Sequence, residues 1–154
     1  MSPLKLDSPE SLKDHVGRHI ATTEWLPVTQ ERIQQFAETT GDHQWIHVDP
    51  ERARRESPFK TTIAHGFLTL SLLPQLMPQV LEIKSGVRMG INYGLNRLRF
   101  VSPVLAGMRI RAQFTLQSIK ELPECIEAVY VVTVEGEGIK KPCCVAEWVV
   151  RYYR

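Results

Sequence analysis

Alternation of apolar and polar residues is clearest in the second half of the chain. The segment 109–116 predicts a half-buried β-strand, because its polar residues alternate with Ile110, Ala112, Phe114 and Leu116. A period of two places all the apolar side chains on one face of a strand. Similar strands are predicted at about 125–135 and 142–153, with a hairpin turn at residues 135–138 between them.

The first half of the chain predicts short helices. They begin after Ser8, Thr29 and Asp49, which are residue types that cap helix N-termini. The second of these helices ends near Gly41, since glycine favours the left-handed conformation found at many helix ends. Residues 21–28 are predicted to be extended, because Thr22, Thr23 and Trp25 favour strands.

The most apolar segment predicts a helix from about Phe67 to Leu81, with leucines on nearly all of its sides. Prolines and glutamines interrupt it, so it is interpreted as a buried helix and not as a membrane span. A helix that is apolar all round must be enclosed by other elements. One enclosed helix followed by long strands predicts a single α+β domain over residues 1–154, with an antiparallel sheet curled around the helix.

Composition narrows the classes of function. A chain of 154 residues fits one domain, and a formal net charge of +2 gives no indication of nucleic-acid binding. The cysteines, Cys125, Cys143 and Cys144, lack metal-ligand spacing, and their odd number suggests reduced thiols. The N-terminus has no apolar core of signal-peptide length. We therefore expect a cytoplasmic protein without a metal site or membrane association.

Asp42 and His47 are the strongest candidates for chemistry. On a regular helix, residues five positions apart would lie roughly 140° apart, so this pair converges only if the segment bends. Gly41 allows such a bend. A carboxylate and an imidazole around one point could bind a water molecule and move protons. The alternative is that Asp42 is only a turn residue and His47 only a packed histidine.

Two motifs carry a family resemblance. The stretch from Gly41-Asp42 through Ile46-His47-Val48-Asp49 resembles the Gly-Asp-x-Asn-Pro-[Leu/Ile/Val]-His-x-Asp signature of the MaoC-like dehydratases and (R)-specific enoyl-CoA hydratases. The segment Ile63-Ala64-His65-Gly66 is similar to the element that leads into the central helix of that family. Residues 91–100 resemble the branch related to nodulation protein N. Gln44-Trp45 replaces the Asn-Pro of the broad family, which removes the basis for carrying over its substrate preference.

The resemblance implies a hotdog fold, a long central helix wrapped by a sheet, and the reversible hydration of a trans-2-enoyl thioester to the (R)-3-hydroxyacyl thioester. Asp42 and His47 match the family's dyad, with Asp42 as the principal base and His47 binding the same water molecule. The resemblance also implies a homodimer with its active sites at the interface. The thioester carrier is either coenzyme A or acyl carrier protein, and no cofactor is expected.

The remaining site residues flank the dyad. The backbone N–H of Gly66, at the start of the central helix, is predicted to stabilise the thioester oxyanion, although a tight turn alone would also explain this glycine. Ala64 and His65 belong to the same predicted substrate-binding element, and His65 is favoured as a residue that orients it. Gln44 either holds the loop or contacts the thioester.

Two other functions compete with the hydratase. Hotdog thioesterases place a lone carboxylate on or near the central helix. Residues 67–81, the predicted central helix, contain neither Asp nor Glu. A non-catalytic acyl-thioester-binding module would gain little from an intact pair of Asp42 and His47. Both alternatives are therefore less favoured than the hydratase.

Overall fold

The computed structural model describes residues 2–154. The described chain contains strands β1 Leu4–Leu6, β2 His19–Thr22, β3 Leu26–Pro27, β4 Leu81–Ile83, β5 Met89–Arg99, β6 Arg109–Glu121, β7 Cys125–Gly136 and β8 Cys144–Tyr153. Its α-helices are α1 Gln30–Thr40, α2 Trp45–Val48, α3 Pro50–Glu56, α4 Gly66–Ser71 and α5 Leu73–Leu76. Two 3₁₀ helices occupy Pro9–His15 and Met77–Gln79.

Six strands form one antiparallel sheet in the order β2-β6-β7-β8-β5, with the short β3 also paired to β6. The alternation read from the sequence is confirmed in β6, where Ile110, Ala112, Phe114 and Leu116 are all buried. The predicted strands at 125–135 and 142–153 correspond to β7 and β8. The extended segment 21–28 is present as two strands, β2 and β3, separated by a break at residues 23–25.

The core lies between one face of this sheet and the helices α4 and α5. Sheet residues such as Phe114 and Tyr130 belong to the same buried cluster as the helical leucines Leu68, Leu72, Leu73 and Leu76. This arrangement confirms the predicted α+β fold with a sheet wrapped around a central helical segment. No helix within residues 2–154 is long and apolar enough to cross a membrane.

The predicted continuous helix from Phe67 to Leu81 is wrong in two respects. The helical segment spans residues 66–79 as α4, α5 and a 3₁₀ turn, and Leu81 lies in β4, which pairs in parallel with β1. Pro74 and Pro78 have no N–H to donate, and their rings crowd the preceding turn, so regular hydrogen bonding cannot continue through them. The segment is also not enclosed on all sides, because Phe67 is 65% exposed.

The capping predictions fix the ends of the helices that flank the candidate site. The Thr29 hydroxyl accepts from the backbone N–H of Arg32, and the Asp49 carboxylate accepts from that of Arg52. Gly41 ends α1 with a positive φ of 79°. Ser8 precedes a 3₁₀ helix, not an α-helix, and makes no side-chain capping bond there.

Candidate active site

The loop after Gly41 bends as the dyad requires. Asp42 lies just beyond the left-handed end of α1, and the single turn of α2 carries His47. One carboxylate oxygen of Asp42 and one ring nitrogen each of His47 and His65 all lie within 4.8 Å of one another. Two of these residues are the predicted dyad, and the third comes from the predicted substrate-binding element.

The imidazole of His47 is held in one tautomer. Its side chain is buried, and Nδ1 lies 2.7 Å from the backbone carbonyl oxygen of Ile63, to which it donates. A neutral imidazole carries one proton, so Nε2 is left with a free lone pair. The backbone N–H of Ile63 donates in turn to the carbonyl of Ile46 at 3.0 Å, which fastens α2 to the connector. His47 is therefore oriented as an acceptor.

His65 lies against both members of the dyad. Its ring stacks on that of His47 with centroids 3.8 Å apart and 23° between the planes. Its Nε2 donates to the backbone carbonyl of Asp42 at 3.0 Å, and the ring of Phe36 also packs against it, with the ring centroids 4.9 Å apart. The buried Nδ1 of His65 has no hydrogen-bond partner among residues 2–154. His65 thus fixes the backbone of the Asp42 loop.

The carboxylate of Asp42 is open to solvent. Its side chain is 53% exposed, and Oδ2 lies 4.0 Å from Nε2 of His65. The Oδ1 atom accepts a 3.3 Å hydrogen bond from the backbone N–H of Gln44, which closes an Asx turn. Gln44 is exposed and contributes its backbone to the loop. Asp42 therefore has a turn function and a carboxylate that solvent or substrate can reach.

Burial controls the protonation of His47. Loss of solvation lowers the pKa of His47 below its ordinary value, and the nearby His65 acts in the same direction. The Ile63 carbonyl and the Asp42 carboxylate oppose this shift. A histidine with a lowered pKa is neutral at pH 7, because its ordinary pKa is about 6.5. His47 can therefore accept a proton under neutral conditions.

A cavity of about 290 Å³ opens beside His47 and is lined also by Ala64, Gly66 and Thr69. The N–H of Ala64 already donates to the carbonyl of Val104 at 2.8 Å, so Ala64 contributes its methyl group to the wall and no free donor. The N–H of Gly66 lies in the first turn of α4 and has no partner within the described chain. First-turn amides are the donors that a helix leaves unsatisfied.

Gly66 also allows a close contact. A Cβ atom at this position would lie 2.7 Å from the ring of Phe100, closer than real side-chain contacts. The absence of a side chain therefore lets Phe100 pack directly on the start of α4, where it lines the cavity.

Some residues that support the dyad are far from it in the sequence and were not predicted. Gln30, the first residue of α1, donates from Nε2 to the backbone carbonyl of His47 at 2.8 Å. Its Oε1 accepts from the hydroxyl of the buried Thr62. Phe36 and Phe100 were likewise not singled out. No spacing rule connects these residues to the dyad, because they meet it only in the folded chain.

The three clustered side chains could be considered as metal ligands. A transition metal needs imidazole lone pairs that converge in the planes of the rings. The rings of His47 and His65 instead stack with their centroids 3.8 Å apart and 23° between the planes, so lone pairs in these planes do not converge on one point. In addition, Nε2 of His65 donates to the Asp42 carbonyl. The donor set is suited to proton transfer and not to a metal ion.

Comparison with known proteins identifies the family of this chain. The MaoC like domain matches residues 11–137. The 3-hydroxyacyl-thioester dehydratase Z of Mycobacterium tuberculosis is 50% identical over 147 residues, covering 95% of this chain and 96% of the relative. Nodulation protein N of Rhizobium leguminosarum bv. viciae is 46% identical over 139 residues, covering 87% of this chain and 84% of the relative.

A solved structure shares the fold. The R-hydratase PhaJ1 from Pseudomonas aeruginosa superposes with a TM-score of 0.71 at 24% identity, covering 90% of this chain and 82% of that one. The hotdog fold expected from the motifs is confirmed by this match, and the branch related to nodulation protein N is confirmed by the sequence relatives. The chain belongs to the MaoC-like dehydratase family.

Proposed function

We propose that this protein catalyses the reversible hydration of a trans-2-enoyl thioester to the (R)-3-hydroxyacyl thioester. The observation that carries the proposal is the convergence of the Asp42 carboxylate and the His47 imidazole within 4.8 Å. Of the two, His47 lines the cavity at the start of α4. The name of the mycobacterial relative, a 3-hydroxyacyl-thioester dehydratase, supports the same reaction.

The dyad supplies the proton transfers. Hydration requires a water molecule to lose a proton as its oxygen bonds to C3, while C2 gains a proton. Asp42 presents an accessible carboxyl group, so it acts as the principal base toward the water molecule. Nε2 of His47 carries the free lone pair and holds the same water molecule. The two groups share the protons as a coupled pair.

Negative charge on the thioester oxygen requires a donor. The N–H of Gly66 is suited to this role, because it has no partner within residues 2–154 and belongs to a residue that lines the cavity. Ala64 shapes the wall of the cavity, His65 holds the Asp42 loop, and Gln44 closes the turn that presents the carboxylate.

We also propose that two copies of this chain form a homodimer. Strand β5 is the edge of the sheet and pairs only with β8 within the described chain. Large apolar side chains are exposed along it and next to it: Met89, Ile91, Tyr93, Leu95, Phe100, Val101 and Phe67. An exposed edge with apolar side chains favours pairing with another strand. A second copy of the same chain offers a matching edge, which light scattering would detect as twice the 17.6 kDa mass.

The substrate is an acyl thioester of coenzyme A or acyl carrier protein, and the protein is expected in the cytoplasm. Cys125, Cys143 and Cys144 are all free and buried, which suits a reducing compartment.

The thioesterase alternative is less favoured, because the helical segment 66–79 carries no Asp or Glu to activate water at the carbonyl carbon. Both reactions can be followed in one experiment. EDTA-treated protein is mixed with crotonyl-CoA and longer enoyl-CoA esters, and loss of the conjugated absorbance is recorded together with release of free thiol. Loss of absorbance without thiol release is expected. Thiol release without hydration would replace the hydratase by a thioesterase.

A further inference from the structure

A second cavity adjoins the candidate active site. It measures about 380 Å³, and its wall is mostly apolar, formed by Phe59, Leu105, Met108 and Ile139. Ser102 and Pro103 line both this cavity and the one beside His47. The two spaces are therefore neighbours that share one wall.

Two lysines contribute to the lining of this second cavity. Lys140 and Lys141 lie in the turn between β7 and β8, line the cavity, and are both exposed. Cys143, only two residues further, lines the cavity beside His47. Two residues span at most about 7 Å of chain. The ammonium groups are thus tied by a short segment to the wall of the candidate active site.

The two lysines are not neutralised by the protein. Neither forms an ion pair with any residue in the range 2–154. The acidic residue in the same turn, Glu137, is bound to Arg109. Two adjacent cations without acidic partners favour an anionic ligand.

The arginines of α3 differ in this respect. Arg52 pairs with Glu56 and lies over the ring of Trp45, while Arg54 and Arg55 both contact Glu51. Each of these three arginines therefore has an acidic partner within the helix itself, although two of them share Glu51. Lys140 and Lys141 are therefore the better candidates for binding a phosphate near the site.

We propose that the second cavity binds the phosphopantetheine arm of the thioester substrate, with Lys140 and Lys141 binding its phosphate. This proposal rests on the function proposed above. The arm joins a phosphate to a thioester through a dimethyl-bearing carbon chain and two amides, with a length comparable to about four extended residues, roughly 14 Å. A mostly apolar cavity that includes two lysines in its lining and adjoins the cavity beside His47 offers a partner for each of these groups. Coenzyme A and acyl carrier protein both present this arm.

The test measures binding and not turnover, so that it does not depend on the proposed reaction. Calorimetry gives the Kd of butyryl-phosphopantetheine and of butyryl-pantetheine, saturated thioesters that differ only in the phosphate. The wild-type protein is expected to bind the phosphorylated ester about fivefold more tightly, which corresponds to about 1 kcal/mol from the two exposed ion pairs together. The Lys140→Gln/Lys141→Gln double variant is expected to lose this preference.

A matched control keeps the change in net charge the same. Lys13→Gln/Lys120→Gln removes two exposed lysines away from the cavity and is expected to retain the wild-type preference. Ile139→Trp fills the cavity from its exposed side and is expected to weaken both esters to a similar extent. Unchanged binding by Ile139→Trp would contradict the assignment of the cavity.

The remaining outcomes separate the possibilities. Equal binding of the two esters by the wild type, or an unchanged preference in the lysine variant, overturns the proposal. A lysine effect seen with butyryl-CoA but not with butyryl-phosphopantetheine would assign the lysines to the nucleotide end and also overturn it. A preference that depends on the lysines in a protein that hydrates no enoyl thioester would leave this site standing and remove the proposed reaction. Hydration of an enoyl thioester by a protein that shows no preference for the phosphorylated ester would support the proposed reaction and overturn this site.

Discussion

The imidazole rings of His47 and His65 stack with their centroids 3.8 Å apart, and both side chains are buried. Two positive charges at this separation away from water would repel strongly. The stack therefore favours the neutral form of His47, in addition to burial, which is the larger cause of its lowered pKa. His65, interpreted from the sequence as a structural residue, is in direct contact with His47 of the proposed dyad.

This contact predicts a pH dependence. Since the pKa of His47 is lowered, the neutral ring is retained as the pH falls below the ordinary value of about 6.5. We expect kcat/KM to hold through neutral pH and to fall only below that value. In His65→Phe an aromatic ring still packs on His47, but the charge repulsion between the two imidazoles is lost. The pKa of His47 should therefore rise, and the acid limb should move to higher pH. A pH–rate profile measures both, and an acid limb at the same pH in His65→Phe would contradict the role of the stack.

Gln30 is expected to act by positioning His47. Gln30→Ala removes the hydrogen bond to the His47 carbonyl and the acceptor for Thr62. The loss of one such bond corresponds to about 1 kcal/mol, or roughly a fivefold lower kcat. The unfolding temperature should also fall, because the buried hydroxyl of Thr62 loses its acceptor. Gln35→Ala, at an exposed position on the same helix, is the control. A kcat equal to that of the control would show that Gln30 does not act on the site.

Gly66→Ala tests the contact at the start of α4. The added methyl group would meet the ring of Phe100 at 2.7 Å, so Phe100 must move. Overpacking of this kind typically costs about 1–3 kcal/mol of stability, and turnover should fall as the cavity wall shifts. Gly90→Ala is the comparison, because its methyl group meets Tyr152 only at 3.8 Å. If Phe100→Leu restores stability to Gly66→Ala, the contact is the cause.

Local patterns predicted much of the fold. The alternation at Ile110 and Phe114 and the caps at Thr29 and Asp49 are each determined by neighbouring residues, and the structure contains all of them. The helix toward Leu81 was predicted too long because its leucines outweighed the effect of Pro74 and Pro78. Local composition did not show where the regular helix would give way to a strand.

The site could be predicted only in part. Asp42 and His47 stand in a motif, and Gly41 explains how they converge. The stacking of His65 depends on a connector that meets α2 only in the folded chain, and Gln30 reaches His47 across 17 positions of sequence. Contacts of this kind leave no periodic pattern in the sequence, so they can be identified only from the tertiary structure.

The central claim is that Asp42 and His47 together carry out the hydration. The most direct measurement is kcat for crotonyl-CoA in Asp42→Asn, His47→Gln and the double variant, each checked for folding, with the exposed His43→Ala as control. Each single change should lower kcat at least about a hundredfold, because general acid–base groups contribute about 10² to 10⁴ in rate. The double variant should be scarcely slower than either single one, since both groups act on one water molecule. Near-normal turnover by folded Asp42→Asn would contradict the claim and leave Asp42 as a turn residue beside a packed histidine.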